Sequence, residues 1–459
     1  MDKGWADVIE SHLVKTTINI VASEFSQAMF QAVRGRKMSV KEVTAYETVR
    51  NIKSGDTIYL GDGAGEPEVL VEALIANSGH LKDVTIISGH ILGKSPYAQK
   101  NMKNHFNFFT VLTTSSTKDS VNEGTADYIP VRLFDIPRLF APGGPWPLDI
   151  ALITVSPPDK SGYCSLGVTV NYTLEAALNA RIVIAEVNKR MPRTLGHCLL
   201  HVNQLDFMVP SDRPLLQIAP PQIDERAIAI AKHVCQLVPN GATLQFGIGS
   251  VPQSLLGLLS DKRKLGIHTG LLSDGVVDLI QRGAVTNMEK PINQGKIVAT
   301  AMWGTDKLYS WADNNALLEM HPVSYTHDPQ VIAQLPNFIA INSAIEVDLT
   351  GQVNAESTGG MQISGVGGQA DWVGGARLSI GGKSIITLAS TAQNGKRSRI
   401  VPNLDIGGVV TTPRHDVQYI VTEYGIAELL GKTLRQRAEA LIAIAHPDFR
   451  DGLRRSRFD

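Results

Sequence analysis

The stretch from Ala242 to Asp274 constrains the fold more than any other part of the chain. An apolar run, Thr243 to Phe246, is followed by the glycine turn Gly247 to Gly249 and then by the leucine-rich helical pattern of residues 255–259. A second apolar run ends at His268. The order strand, glycine turn, helix and strand is typical of a parallel α/β sheet, in which the turn after a strand lies at the ligand-binding edge.

The glycine turn alone supports two interpretations. Glycine lets a ligand approach the backbone closely, and the helix that follows presents free N–H groups to an anion. A plain tight turn has the same residue types, so a GxG motif is weak by itself. The residues that flank the turn are needed to distinguish a ligand-binding loop from a plain tight turn.

Longer motifs identify a family resemblance. The loop reads Gly247-Ile248-Gly249-Ser250-Val251-Pro252, and the line from Gly266 to Gly275 reads GIHTGLLSDG. Both resemble the acetyl-CoA hydrolase/transferase family, the class I CoA-transferases that include the 4-hydroxybutyrate and butyrate:acetate enzymes. Matches to the family's VSPPD, MPRT and C-terminal motifs extend the resemblance from about Met38 to the end of the chain. The family has a GIGxxP loop for coenzyme A and a glutamate nucleophile in the second line, where this chain has Gly270.

Length and pattern predict the architecture. A chain of 459 residues exceeds one ordinary core, so we expect an N-terminal helical extension (1–37) and two CoA-transferase-like α/β domains (38–220 and 221–459), with the site in the cleft between them. The sheets are expected to be mainly parallel because strand and helix patterns alternate. Strands are predicted at 57–60, 84–88, 149–155, 181–187, 243–246, 297–302, 338–342, 384–388 and 417–421, and helices at 40–52, 68–76, 225–238 and 434–445.

Composition bears on partners and compartment. The net charge is −1, so the bulk charge favours neither nucleic acid nor an acidic membrane, and no apolar run reaches the length of a membrane span. Cys164, Cys198 and Cys235 are too few and too widely spaced for a disulfide framework or a metal site. We expect a cytoplasmic protein without metal, and the resemblance implies a homo-oligomer that takes acyl-CoA as substrate and needs no covalently bound cofactor.

The resemblance implies most of the site residues. The candidates for binding coenzyme A or an oxyanion lie in two glycine loops: Gln245, Phe246, Gly247, Ile248 and Gly249, and then Gly365, Gly367 and Gly368. The catalytic candidates are Gly270 as the position of the family glutamate, Glu356 as a substitute carboxylate, and His327 in place of the family's asparagine. An imidazole can donate a hydrogen bond as the amide does, and it can also carry a proton. Gly374 replaces the family's arginine.

Three functions fit these residues. The first is an acyl-CoA-dependent transferase that moves CoA or an acyl group between an acyl-CoA and a small acceptor. The second is an acyl-CoA hydrolase or acyltransferase that forms no glutamyl thioester, because Gly270 supplies no nucleophile. The third is an acyl-CoA-binding protein without catalysis. Turnover of any acyl-CoA separates the first two from the third.

Overall fold

The computed structural model describes residues 41–458 and the side chains of residues 42–456. The predicted extension over residues 1–37 lies outside this part. From Glu42 onward the chain forms one compact unit that contains two large sheets. The prediction of an α/β fold with mainly parallel sheets is confirmed. The boundary at residue 220 and a cleft between two domains stay predictions.

The first sheet has eight strands, all from the first half of the chain. In spatial order they are Lys41–Glu42, Phe207–Ser211, Ile182–Asn188, Ile150–Val155, Thr57–Leu60, Val84–Ser88, Phe106–Thr110 and Ala126–Tyr128. The seven strands after the first pair in parallel. Every residue of Ile150–Val155 is buried, as expected for a central strand of a parallel sheet that is covered on both faces.

The second sheet has six strands and carries the glycine turn. In spatial order they are Gly266–Ile267, Thr243–Phe246, Phe338–Ser343, Lys383–Thr387, Tyr419–Thr422 and Gly425–Glu428. The first five pair in parallel, and the last is the antiparallel arm of a hairpin. The carboxyl ends of Thr243–Phe246 and Gly266–Ile267 therefore lie side by side, which brings Gly247 and His268 to the same edge.

Short strands connect the site to the second sheet. Leu271–Leu272 pairs with Ala301–Met302, and Ile297–Ala299 pairs with Leu318–Met320. The remaining short strands are Tyr163–Ser165 with Leu199–His201, Glu346–Asp348 with Val353–Asn354 and Ile400–Val401, Ser357–Thr358 with Met361–Gln362, and Thr391–Ala392 with Arg397–Ser398. Of these pairs, Leu271–Leu272 with Ala301–Met302 holds the segment directly after Gly270.

Helices cover both sheets. The α-helices of the described part are Ala45–Val49, Glu68–Ala76, Lys118–Asn122, Ile136–Phe140, Thr173–Asn179, Glu225–Leu237, Ser250–Leu258, Asp274–Gln281, Asp306–Ala312, Val323–Thr326, Pro329–Ala333, Gln369–Leu378, Leu434–Ala443 and Pro447–Phe458. Side-chain caps fix several starts; Asp224, for example, accepts a hydrogen bond from the Ala227 N–H. Within residues 41–458, none of these helices has the length and apolar character needed to cross a bilayer.

Two predicted elements are wrong in extent. The helix expected over residues 40–52 is confined to Ala45–Val49, because Thr44 forms a capping box with Glu47 and fixes the start there. The single strand expected over residues 297–302 is divided at Thr300, since the two halves pair with different partners. That division places the Thr300 and Ala301 N–H groups on the carbonyl of Gly270, at 3.3 and 2.9 Å.

A small apolar cluster supports the site from below. It contains Ile332, Leu335, Phe338, Ala340, Trp372 and Ala376. Trp372 is 3% exposed, and its ring stacks at 6.1 Å on Phe338 of the second sheet. Because protein cores are close-packed, the Trp372 ring has little freedom to move when a neighbour changes size.

Candidate active site

The glycine turn opens the first part of the site. Gly249 adopts φ +123°, a backbone angle that side-chain-bearing residues rarely take, and it caps the helix Ser250–Leu258. A methyl group added at Gly247 would meet no atom within 4 Å. The pocket here is lined by the loop itself, by the extended segment 218–221 and by Ser273, Asp274 and Trp303. The pocket thus borders the start of the helix Ser250–Leu258, and the start of a helix is a place where anions bind.

Three of the five residues predicted in this loop line the pocket: Gly247, Ile248 and Gly249. The side chains of Gln245 and Phe246 are buried in the sheet instead. Gln245 Oε1 accepts a hydrogen bond from the Ile341 N–H at 3.2 Å, which ties two neighbouring strands together. A direct role in ligand binding for these two residues stays a prediction, and the structure gives them positions that support the loop.

His327 lies directly against Gly270. A Cβ atom built on Gly270 would lie 3.2 Å from both Cε1 and Nε2 of His327 and 3.4 Å from Cζ2 of Trp372. The imidazole and indole rings are themselves only 4.2 Å apart. The space into which a side chain at position 270 would extend is thus bounded by one edge of the His327 ring. We call Gly270, His327, Gly368 and Trp372 together the Gly270 site.

Both histidines of the site are held by Thr326. His268 Nε2 lies 2.9 Å from the Thr326 carbonyl oxygen, which can only accept, so His268 carries its proton on Nε2. His327 Nδ1 lies 2.9 Å from the Thr326 hydroxyl. Burial lowers the pKa of each histidine to about 3. Lys290 lowers the pKa of His268 further, and His268 lowers that of His327 further. Both rings are therefore neutral near pH 7 in the free protein.

The glycine loop Gly365–Gly368, which is the third in chain order after those at residues 61–65 and 247–249, borders the other side of His327. A Cβ atom on Gly368 would lie 2.6 Å from Nε2 of His327, so only glycine fits against the ring. Gly367 adopts φ +55°, and Gly365 packs against Tyr128. Within residues 41–458 the N–H groups of Gly367 and Gly368 make no hydrogen bond, and they stand at the start of the helix Gln369–Leu378. Free N–H groups at a helix start can stabilise an oxyanion.

Glu356 is held on both carboxylate oxygens. Tyr128 donates to Oε2 at 3.1 Å, and Thr411 donates to Oε1 at 2.8 Å. The Tyr128 hydroxyl also accepts from the Val366 N–H at 3.0 Å, so Glu356 anchors the third glycine loop. This arrangement favours a structural role over a nucleophilic one. At Gly374, where the family resemblance implies an arginine, an added methyl group would meet nothing within 4 Å.

Several buried polar groups near the site carry no sequence motif. Lys290 is 1% exposed and donates to the carbonyls of Ile267 at 3.1 Å and Lys296 at 2.6 Å. Burial lowers the pKa of Lys290 to about 7. Its position under the strand Gly266–Ile267 makes it a support for the Gly270 segment. Sequence patterns do not mark it, since lysine is normally exposed.

A second buried group, Asp62, lies in the loop of residues 61–67, GDGAGEP. Asp62 accepts hydrogen bonds from Tyr172 at 2.7 Å and from Asn171 at 3.1 Å. The backbone next to it, at Gly63, packs against the Trp303 indole, whose Nε1 has no hydrogen-bond partner in the described part. Within residues 41–458 there is also no cluster of three histidine, cysteine or carboxylate side chains with the geometry of a metal site.

Comparisons with known proteins identify the family. The model of the acetyl-CoA hydrolase/transferase N-terminal domain matches residues 28–220, and that of the C-terminal domain matches residues 304–457. The chain is 47% identical to the 4-hydroxybutyrate coenzyme A transferase of Clostridium kluyveri, over 90% of this chain and 96% of that one. It is 36% identical to the butyryl-CoA:acetate CoA-transferase of Anaerostipes caccae, over 89% and 94% of the two chains.

Solved structures give the same result. RipA from Yersinia pestis superposes with a TM-score of 0.86 at 37% identity, covering 91% of this chain and 96% of RipA. The 4-hydroxybutyrate CoA-transferase of Porphyromonas gingivalis superposes with a TM-score of 0.78 at 35% identity, covering 93% and 98%. Similarity over about nine-tenths of the chain at this level of identity shows the family as well as the fold. The chain belongs to the acetyl-CoA hydrolase/transferase family.

Proposed function

We propose that this protein is an acyl-CoA-dependent transferase that moves CoA or an acyl group between an acyl-CoA and a small acceptor. The observation that carries the proposal is its similarity to CoA-transferases along nine-tenths of its length, at 47% identity in one case. The relatives are named for 4-hydroxybutyrate and for butyryl-CoA with acetate, so short acyl chains are the first substrates to test.

Coenzyme A binding is assigned to the Gly247–Gly249 loop. The loop faces a pocket, and Gly249 at φ +123° exposes the N–H groups that begin the helix Ser250–Leu258. The phosphates of CoA are anions, which the positive end of a helix stabilises. The Gly367–Gly368 N–H groups are proposed to hold the thioester oxygen as it gains negative charge.

A second candidate function is favoured by one observation at Gly270. The family route needs a carboxylate that attacks the acyl-CoA and then holds CoA as an enzyme thioester. Glycine supplies no such group, and the ring of His327 borders the space that a side chain would use. An acyl-CoA hydrolase or acyltransferase without a glutamyl thioester fits this site.

The compartment and the oligomeric state are also proposed. Cys164 and Cys198 are free and buried, which is compatible with a reducing compartment, and we propose the cytoplasm. We also propose a homo-oligomer, as the family resemblance implies.

One experiment tests the function and separates the candidates. Purified protein is incubated with acetyl-, butyryl- and 4-hydroxybutyryl-CoA, with and without added acetate, and free thiol and product masses are followed. Acetyl-CoA formed from butyryl-CoA and acetate identifies CoA transfer. Free CoA with the free acid identifies hydrolysis. If no acyl-CoA is consumed under any condition, the proposal is wrong and the non-catalytic binding function takes its place.

A further inference from the structure

We infer that His327 Nε2 acts as a general base in the Gly270 site, that Thr326 fixes the ring in the form that leaves Nε2 unprotonated, and that the acceptor is protic, with water as the simplest case. The inference rests on the proposed function, since it names the acceptor class of the same site. It concerns residues that differ from the family pattern, Gly270 and His327, together with Thr326, which no motif singled out.

The tautomer follows from counting hydrogen bonds around Thr326. Its hydroxyl lies 3.3 Å from the Pro322 carbonyl and 2.9 Å from His327 Nδ1. The Pro322 oxygen can only accept, and it also accepts the Tyr325 and Thr326 N–H groups at 3.0 Å each. The Thr326 hydroxyl makes both of its contacts, one as donor and one as acceptor, only when His327 Nδ1 carries the proton. In the opposite arrangement the Thr326 hydroxyl donates its proton to His327 Nδ1 and no longer donates to the Pro322 carbonyl. The ring then carries its N–H at Nε2, which needs an acceptor.

No acceptor for such an N–H is in place. Among residues 41–458, His327 Nε2 makes no hydrogen bond, although the ring as a whole is 1% exposed. A proton on Nδ1 gives the Thr326 hydroxyl two hydrogen bonds, whereas a proton on Nε2 leaves it with one, so the arrangement with a bare Nε2 is favoured. His327 Nε2 borders the side-chain-free space at Gly270, where a Cβ atom would lie 3.2 Å from it.

The direction of Nε2 matches the reaction geometry. It lies 3.2 Å from the point where the Cβ of a residue at position 270 would stand and 2.6 Å from the corresponding point at Gly368. The free N–H groups of Gly367 and Gly368 thus stand beside the base. A thioester whose oxygen faces these N–H groups would present its carbonyl carbon to a nucleophile held by Nε2.

The chemistry selects the acceptor class. A carboxylate acceptor has no proton to lose at neutral pH, so a base beside it contributes nothing to its attack. Water, an alcohol or an amine must lose a proton as it attacks. In the proposed step the water oxygen bonds to the thioester carbon while its proton passes to His327 Nε2. The negative charge that develops on the thioester oxygen beside the ring offsets the burial that holds the pKa of His327 at about 3 in the free protein. The C–S bond then breaks, and the CoA thiolate takes the proton from Nε2–H, which gives the free acid, CoA–SH and unprotonated His327.

The tautomer is measured first, because that test needs no turnover. Protein labelled with ¹⁵N at histidine is examined by NMR, and the His327 signals are assigned by their loss in His327→Gln. We expect a protonated Nδ1 and an unprotonated Nε2. Thr326→Val removes the hydroxyl at nearly constant volume and should shift this population toward Nε2–H, while Thr326→Ser should retain it. An Nε2–H tautomer in the unaltered protein would overturn the inference.

The kinetic test separates this inference from the proposed function. We expect butyryl-CoA to release CoA without acetate, one ¹⁸O from labelled water to enter the acid, and Thr326→Val to lower kcat about 10-fold with little change in KM, on the scale of one hydrogen bond. Thr326→Ser should restore most of kcat. Thr154→Val, at a buried hydroxyl without a partner in the first sheet, is the matched control and should keep wild-type kcat.

Each other outcome has a defined meaning. Transfer of CoA to acetate without hydrolysis would support the proposed function and overturn the protic-acceptor inference. Equal kcat values for Thr326→Val and the unaltered protein would overturn the positioning role of Thr326. Failure to consume any acyl-CoA would overturn the proposed function and the base together, and the NMR measurement would then report on the tautomer alone.

Discussion

The effect of Gly270→Ala on the free energy of unfolding should have opposite signs with histidine and with alanine at position 327. The new Cβ would lie 3.2 Å from two ring atoms of His327 and 3.4 Å from Trp372, a few tenths of an ångström inside ordinary contact. Overpacking in a filled core costs about 1–3 kcal/mol. The φ of Gly270 lies outside the left-handed region, so alanine also lowers the entropy of the unfolded chain and stabilises by about 0.4–1 kcal/mol. In the unaltered protein the packing cost is larger, and Gly270→Ala should be destabilising.

The His327→Ala background removes the steric conflict. There the packing cost disappears, and Gly270→Ala should stabilise by the entropic amount of about 0.4–1 kcal/mol. The coupling free energy between the two positions should therefore be about 1–3 kcal/mol. The assay is a double-mutant cycle of urea denaturation, with near-UV circular dichroism and tryptophan fluorescence as two probes. Additive effects, within about 0.5 kcal/mol, would refute the argument that His327 occupies the space beside Gly270.

Four further predictions concern binding, catalysis and pH. Gly249→Val should abolish CoA binding in calorimetry, because valine resists φ +123° and fills the loop; unchanged affinity in a folded variant would remove this loop from the binding site. His327→Ala should lower turnover about 10²-fold, on the scale of one general base, and His327→Asn should not restore it, because an amide takes up no proton; wild-type rates in both would make the residue structural. Treatment with acyl-CoA and borohydride should leave the protein unmodified and active, since Gly270 forms no thioester, and a trapped CoA adduct on any glutamate in the intact mass would contradict this. The free energy of unfolding, measured in urea, should rise from pH 7 toward pH 10. The pKa of Lys290 is 10.5 in the unfolded chain and about 7 in the folded protein, so the unfolded state binds more protons between these pH values. Lys290→Met should flatten the rise.

Parallel strands were the part of the fold most accessible from sequence. Thr57–Leu60, Val84–Ser88 and Thr243–Phe246 have the predicted bounds, because each is a short apolar run closed by turn residues. The division at Thr300 could not be predicted, since it depends on which distant strands the two halves meet. Pairing partners are a tertiary property that a local apolar pattern does not contain.

The site shows the same limit. Motifs placed Gly247–Gly249, Gly270 and His327 as candidates, and the structure brings Gly270 and His327 into contact. The role of Thr326 was missed, although it precedes His327 directly, because sequence adjacency does not reveal that its hydroxyl turns to Nδ1 while its carbonyl meets His268. Lys290 was missed for a different reason: nothing local marks a lysine as buried.

The contact between Gly270 and His327 also affects the order in which substitutions at positions 270 and 327 can be made. A carboxylate side chain introduced at position 270 meets the imidazole at its first carbon atom, so that substitution alone begins with a clash. Shortening residue 327 first meets no such barrier. A lineage that acquired or lost the glutamate would therefore pass more easily through a chain with the short residue at 327 than through one with glutamate and histidine together. The two positions are sterically linked, independently of which acyl-CoA the protein uses.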